Sequence, residues 1–133
     1  MLNFLAVGAG GFIGAAARYA MSLIPLDRSG VFPVNTLIIN VLGAFIIGII
    51  TAAAAKNAGL SPRMILFLKT GICGGFTTFS TFALESVTLL QSGKSAAAVC
   101  YIVLSTLLSL GAVLLAEAAV LTRRFTRRSR RIL

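Results

Sequence analysis

Apolar residues fall in four long runs, at about Leu2–Ile24, Val34–Ala55, Arg63–Gln91 and Ala96–Leu121. Short polar stretches divide them: Pro25–Pro33, with Asp27, Ser29 and Gly30; Lys56–Pro62; and Ser92–Ser95. Each run reaches the ~20 residues that cross a bilayer as a helix. The pattern predicts an all-α membrane protein with four transmembrane helices. The third run is a poor continuous helix, because Gly71 to Phe82 reads GICGGFTTFSTF. Gly71, Gly74 and Gly75 each weaken a helix by roughly 1 kcal/mol relative to alanine. Hydroxyls follow at Thr77, Thr78, Ser80 and Thr81. Unwound backbone at membrane depth survives only where it is buried in protein, lines a wet cavity or binds an ion. The third helix is therefore expected to be broken near its middle, with carbonyls and hydroxyls that handle an ion. The plainer alternative is a glycine-weakened helix packed against its neighbours. Phe79 and Phe82, three apart, share a helix face just after this stretch.

The other runs carry isolated polar residues. In the first, Gly10 and Gly14, like Gly11 and Ala15, are four apart, a small-xxx-small pattern that lets helices approach closely in lipid. The same VGAGGFIGAAA stretch imitates a dinucleotide-binding loop, but its glycines miss the strict spacing and no βαβ unit follows. Arg18, near the end of this run, either snorkels to the interface or faces a watery vestibule where it concentrates anions. Asn40 lies deep in the second run, with Thr36 one turn earlier on the same face. It either glues helices together or donates its amide to something in a pathway. Gly43, Ala44 and Gly48 give that helix a close-packing side. Glu85 follows the glycine stretch at or near apolar depth. An embedded acid is a functional candidate, and it is equally a structural partner for Lys69 or Arg18. In the fourth run Tyr101, Ser105 and Ser109 recur every four residues and form a hydroxyl stripe. One such hydroxyl often back-bonds to its own helix; three in register suggest a polar track.

Composition narrows the class. The chain has 133 residues, is 58% hydrophobic and has a mean hydropathy of +0.99. Only 11% of residues are charged, against about 25% in a soluble domain. The net charge of +9 is a property of the tail, since six of the twelve lysines and arginines lie in the last eleven residues. The expected division is residues 1–122 as a four-helix membrane domain and 123–133 as a basic tail, frayed into solvent or lying on anionic headgroups. Nucleic acid is not an expected partner. There is no histidine and there are three acids, so the usual catalytic pairs cannot be assembled and no enzyme is expected. Cys73 and Cys100 fit no metal or redox spacing and read as buried packing residues. No cleaved leader is expected, because the first run has no Lys or Arg before it and is long enough to span.

Two stretches carry a family resemblance: FPVNTLIINVLGAFIIG at Phe32 to Gly48, and the more specific GICGGFTTFSTFALE at Gly71 to Glu85. With four short-looped spans over nearly the whole length, the chain resembles the Fluc/CrcB fluoride channels. The resemblance implies an antiparallel, dual-topology homodimer in the cell (inner or plasma) membrane, with two fluoride pores. It also implies a structural sodium ion at the two-fold axis, held by backbone carbonyls that motif position assigns to Gly74 and Thr77. Phe79 and Phe82 match the family's pore-lining aromatic pair and Asn40 its pore asparagine. Tyr101, Ser105 and Ser109 fall on its fourth-helix hydroxyl track, and Arg18 and Glu85 match family positions of less defined role. Thr36, beside Asn40, joins the candidate pore set.

The chemistry agrees with that transfer. Fluoride is small and strongly hydrated, so a pore must replace its water with donors. Hydroxyls and an Asn amide donate without a formal charge that would trap the ion, and phenyl rings offer a positive edge. The charge pattern departs from dual topology in one respect. Arg18, Arg28 and Lys94 balance Lys56, Arg63 and Lys69, but the tail arginines bias the termini toward the cytoplasm. Either the tail emerges too late to matter, or the chain pairs with an oppositely oriented partner; the homodimer is the favoured expectation. A small dual-topology proton-coupled multidrug exporter is the alternative function. Such an exporter needs an embedded acid, usually early in the chain, where this chain has only Arg18. A non-transporting scaffold would leave the glycine stretch, the paired Phe residues and the hydroxyl stripe unexplained.

Overall fold

A computed structural model describes residues 1–27, 31–56 and 59–129. Helix α1 spans Leu2–Ser22 and α2 spans Val34–Ala55. The third run is built from α3 (Pro62–Ile65), a π-helical segment (Leu66–Cys73), α4 (Gly74–Phe76) and α5 (Phe79–Gln91). Helix α6 runs from Ser95 to Ser129. Among the described residues there is no strand, and four helical stretches are long and apolar enough to cross a membrane: Leu2–Ser22, Val34–Ala55, Pro62–Gln91 and Ser95–Val120. The four spans match the four apolar runs to within a few residues.

Local chemistry sets the ends of these helices. The amide of Asn35 donates to the carbonyls of Met21 and Ile24 at 2.8 and 2.7 Å, covering the end of α1. Ser61 caps α3 by accepting from the Met64 N–H at 3.2 Å. After α5 the chain turns through Gly93 at φ 73. The Gly93 and Lys94 N–H groups donate back to the carbonyls of Leu90 and Leu89 at 3.1 and 3.0 Å. That is the pairing of a Schellman stop, and it folds α6 directly back onto α5.

Packing is uneven. Helix α2 lies along α6, and α1 lies along the π-helical segment and α4. The only buried residues of α1 are Gly10 and Gly14. Backbone of the third run lies against them: a Cβ on Gly71 would sit 2.8 Å from the Cα of Gly10, Gly14 abuts the backbone of Ile72 and Phe76, and a Cβ on Gly75 would sit 2.5 Å from the carbonyl oxygen of the neighbouring Gly11. The small-residue pattern of the first run thus permits backbone-to-backbone contact. The dinucleotide-like stretch lies wholly inside α1. A compact apolar cluster forms where α5 meets α6, from Leu89, Ala98 and Tyr101, with Phe32, Leu37 and Phe82 against it. Most other large apolar side chains point outward, as lipid-facing residues do.

Two expectations are corrected here. Cys73 is buried, but Cys100 is exposed; it follows Val99, also exposed, and lies about 100° round the helix from the buried Tyr101. The backbone also stays helical to Ser129, against the frayed alternative for the 123–133 tail but not against the headgroup one. No proline follows Pro62 and no glycine follows Gly111, and arginine is a good helix former. Arg28 and residues 130–133, used above in the charge balance, lie outside the described residues.

Candidate functional site

Two threonines hold the centre of the site. Between α4 and α5, Thr77 has φ −77 and ψ 159 and Thr78 has φ −150 and ψ 114, both extended. Backbone leaving a helix needs new partners, and Asn40 on α2 provides them for Thr78. Its Oδ1 accepts from the Thr78 N–H at 2.8 Å, and its Nδ2 donates to the Thr78 carbonyl at 3.1 Å. The Thr78 side chain caps α5, its Oγ1 accepting from the Thr81 N–H at 3.2 Å and donating to the Thr81 hydroxyl at 3.0 Å. The Thr77 hydroxyl back-bonds to the Cys73 carbonyl at 2.9 Å.

This rerouting has a consequence for two carbonyls. In a continuous helix Gly74 would accept from the N–H of Thr78, and Thr77 from that of Thr81. Both donors are bonded elsewhere, to Asn40 Oδ1 and to Thr78 Oγ1. Gly74 is exposed, and a Cβ there would meet nothing nearer than the Lys69 carbonyl oxygen at 4.0 Å. The three glycines of the third run therefore differ in kind. Gly71 and Gly75 are needed for contact with α1, whereas Gly74 faces open space.

Beside Asn40 lies an open groove of about 360 Å³, lined by Asn40, Thr77, Thr78, Phe79, Phe82, Ser105 and Ser109 together with small and apolar residues of α2 and α6. The rings of Phe79 and Phe82 stand 5.7 Å apart, and Phe82 stands 5.3 Å from Tyr101. Phe79 is 80% exposed, unusual for a side chain that lines a groove. The stripe on α6 faces the same way but its members differ. Tyr101 is fully buried, Ser105 is buried with no partner for its Oγ, and Ser109 is half-buried at the groove.

Glu85 sits one step beyond Phe82. Its Oε1 accepts from the Thr36 hydroxyl at 2.8 Å and its Oε2 from the Tyr101 hydroxyl at 2.6 Å. Of the two alternatives for Glu85, the pairing with Lys69 or Arg18 is not made; hydroxyls on α2 and α6 take both carboxylate oxygens. Thr36 and Asn40, on one face of α2, thus serve different partners. Arg18 on α1 is not among the groove residues; its Nε is buried without a partner.

Residues 5–117 match the family described as CrcB-like protein, Camphor Resistance (CrcB). The chain belongs to this family. A "Fluoride-specific ion channel FluC" of Ruminiclostridium cellulolyticum is 50% identical over 119 residues, covering 88% of this chain and 91% of the relative. Proteins of the same name from Rhizobium meliloti and Granulibacter bethesdensis are 45% and 48% identical over 114 and 124 residues. Those matches cover 85% and 92% of this chain, and 91% and 97% of the relatives. With four spans and this family membership, the chain is a multi-pass membrane protein. Among the described residues of this CrcB-like chain there is no group of three or more His, Cys, Asp or Glu that could hold a metal.

Of the candidate pore residues, Asn40, Phe79, Phe82, Ser105 and Ser109 line the groove, while Thr36, Glu85, Tyr101 and Arg18 do not; two further features were missed. Asn35 gave no signal beyond its place at the start of a run, yet it closes α1. The π-helical segment is also invisible to periodicity, since π-turns follow from local packing.

Proposed function

We propose that the chain is a fluoride-selective channel that exports cytoplasmic fluoride by passive permeation. It would work in the cell membrane as an antiparallel, dual-topology homodimer with two pores. The observation that carries the reading is the groove at Thr77–Thr78, lined by neutral polar side chains and the rings of Phe79 and Phe82 without a cation. The names of the relatives supply the ion. Asn40 uses one amide hydrogen on the Thr78 carbonyl and keeps the other. Ser105 holds a hydroxyl with no partner. Phe79 and Phe82 carry rings whose edges are positive and would serve an anion there. A desolvated anion finds donors on each side and no opposite charge deep enough to trap it. Glu85, beyond Phe82, has both oxygens covered by hydroxyls, which reduces its repulsion of a passing anion. In this reading the third span is a broken helix, residues 1–122 form the channel and 123–133 are appended to it.

A second copy and a structural sodium ion fit the same geometry. A hard cation takes oxygen ligands, and the Gly74 and Thr77 carbonyls lack their helical donors. With the same carbonyls of a second copy, these would hold the ion, whose charge would join the two breaks. The exposure of Gly74 and Phe79 on a single protomer is consistent with surfaces that a partner covers. The test is efflux from liposomes holding the purified protein. Fluoride should leave rapidly and chloride should not; equal rates for the two anions, or no fluoride flux, would refute the reading.

A further inference from the structure

Four crossings return the chain to the membrane face from which it starts. The ends of α1 and α3 that begin a span, and the ends of α2 and α6 that finish one, share that face. The Lys56 ammonium, just past α2, donates to the Val120 carbonyl at the end of the fourth span, which fixes the two ends side by side. Arg63 lies on the same face at the start of α3. Beyond Val120, α6 continues for nine residues, or about 13 Å at 1.5 Å per residue. A headgroup layer is about 5–7 Å deep on each side of the hydrocarbon, so this extension passes through it.

The sequence register of that extension is one-sided. Arg123 and Arg127 form one i,i+4 row and Arg124 and Arg128 the next. At 3.6 residues per turn the four fall within an arc of about 140°. Thr122, Phe125, Thr126 and Ser129 occupy the rest of the turn. Among the described residues the only acid near this face is Glu117, while the opposite face carries Arg18, Asp27 and Lys94. A run of four or more basic residues directly after a membrane helix attracts anionic lipid, each worth about fivefold in association near the surface.

We propose that this face, formed by Lys56, Arg63 and the arginine rows of α6, binds the phosphates of anionic phospholipid headgroups and keeps such lipids around the channel. The inference does not depend on the ion conducted. To test it, the full chain is placed in nanodiscs of phosphatidylcholine with one-fifth phosphatidylglycerol. Spin-labelled lipids then report the preference of the protein's boundary shell for one headgroup over the other. Wild type should prefer phosphatidylglycerol severalfold, and the preference should shrink as salt rises. The R123Q/R124Q/R127Q/R128Q variant should bring it close to unity, a drop of about fivefold or more, while fluoride efflux stays at the wild-type rate. If that variant does not insert, a chain ending at Thr122 serves the same purpose. No headgroup preference in wild type, or an undiminished one in both variants, would overturn the proposal. So would an oligonucleotide or an acidic peptide that displaces phosphatidylglycerol at equal charge concentration, since the face would then serve a soluble polyanion.

Discussion

Two regions of one span, less than two turns apart, solve opposite problems. At Gly71 and Gly75 the third span removes side chains so that its backbone can touch that of α1. At Thr77 and Thr78 it leaves the helix and uses side chains, from Asn40 and from Thr78 itself, to replace the lost backbone bonds. The first region is closed by contact and tolerates no added atom. The second stays open to a groove and depends on a few directed hydrogen bonds. Contact with α1 directly precedes the two extended residues, and these place polar groups beside the groove. Substitutions in the two regions should therefore fail differently, one through folding and the other through transport.

The largest effect is expected at the contact. A valine at Gly75 would press against backbone, which cannot move aside as a flexible side chain can. Overpacking costs about 1–3 kcal/mol even in adaptable cores, so Gly75→Val should abolish most folded protein. Gly74→Ala, one residue away, should leave the fold of each chain nearly unchanged, because its Cβ meets nothing within the protomer; any loss should show as separation of the proposed dimer into folded monomers. Detergent size-exclusion profiles of the two variants decide the matter. Equal losses would erase the distinction between packing glycine and open glycine.

Next come the two hydrogen bonds between Asn40 and Thr78. Asn40→Ala strips partners from both the Thr78 N–H and its carbonyl. Each unsatisfied buried group costs about 1–3 kcal/mol, so the melting temperature should fall and fluoride efflux should fall with it. Loss of efflux at an unchanged melting temperature would mean that Asn40 acts on the ion alone.

The ring pair separates the two effects. Phe79 is 80% exposed, so Phe79→Ile should change stability by less than about 0.5 kcal/mol. Removing the ring edge should still cut fluoride efflux by roughly tenfold, the equivalent of one lost donor. Phe82→Ile should lower efflux as well, with a further stability loss of about 1 kcal/mol from its ring contacts. Cys100→Ala, on the outward face of α6, should alter neither. Wild-type efflux from both Phe variants would end the aromatic part of the proposal.

How much of this was legible in the sequence follows from the range of each interaction. The four spans were readable because hydrophobicity over twenty residues is a summed, local property. The pairing of Phe79 with Phe82, and the outlook of Ser105 and Ser109 on one side of α6, follow from helical spacing. What could not be read is which long-range partner each polar group takes. Asn40 and Thr78 are 38 residues apart and Thr36 and Glu85 are 49 apart; no local rule selects those pairs over Lys69 or Arg18. The glycines were legible as a weakness in a helix. Their division into two contacts and one opening depends on where α1 lies. Cys100 was misassigned for the same reason, since an apolar run in a membrane protein does not say which side faces lipid.

Ser105 offers the smallest and sharpest separation of folding from transport. Its hydroxyl is buried without a partner, while Tyr101 one turn earlier is committed to Glu85. A buried polar group with no partner is a cost to the folded state, and replacing it with a methyl group recovers part of that cost. Ser105→Ala should therefore leave stability unchanged or raise it by up to about 1 kcal/mol. If the hydroxyl is kept for a passing anion, the same change removes a donor from the groove and efflux should fall severalfold. A purely structural serine makes the opposite forecast, because the variant would be as stable and would conduct as before. Thermal unfolding and fluoride efflux measured on the same preparation distinguish the two. Ser105→Thr keeps the hydroxyl and adds only a methyl group, so it should restore most of the flux. Stability up and flux down in Ser105→Ala, with recovery in Ser105→Thr, is a pattern that lost packing cannot produce.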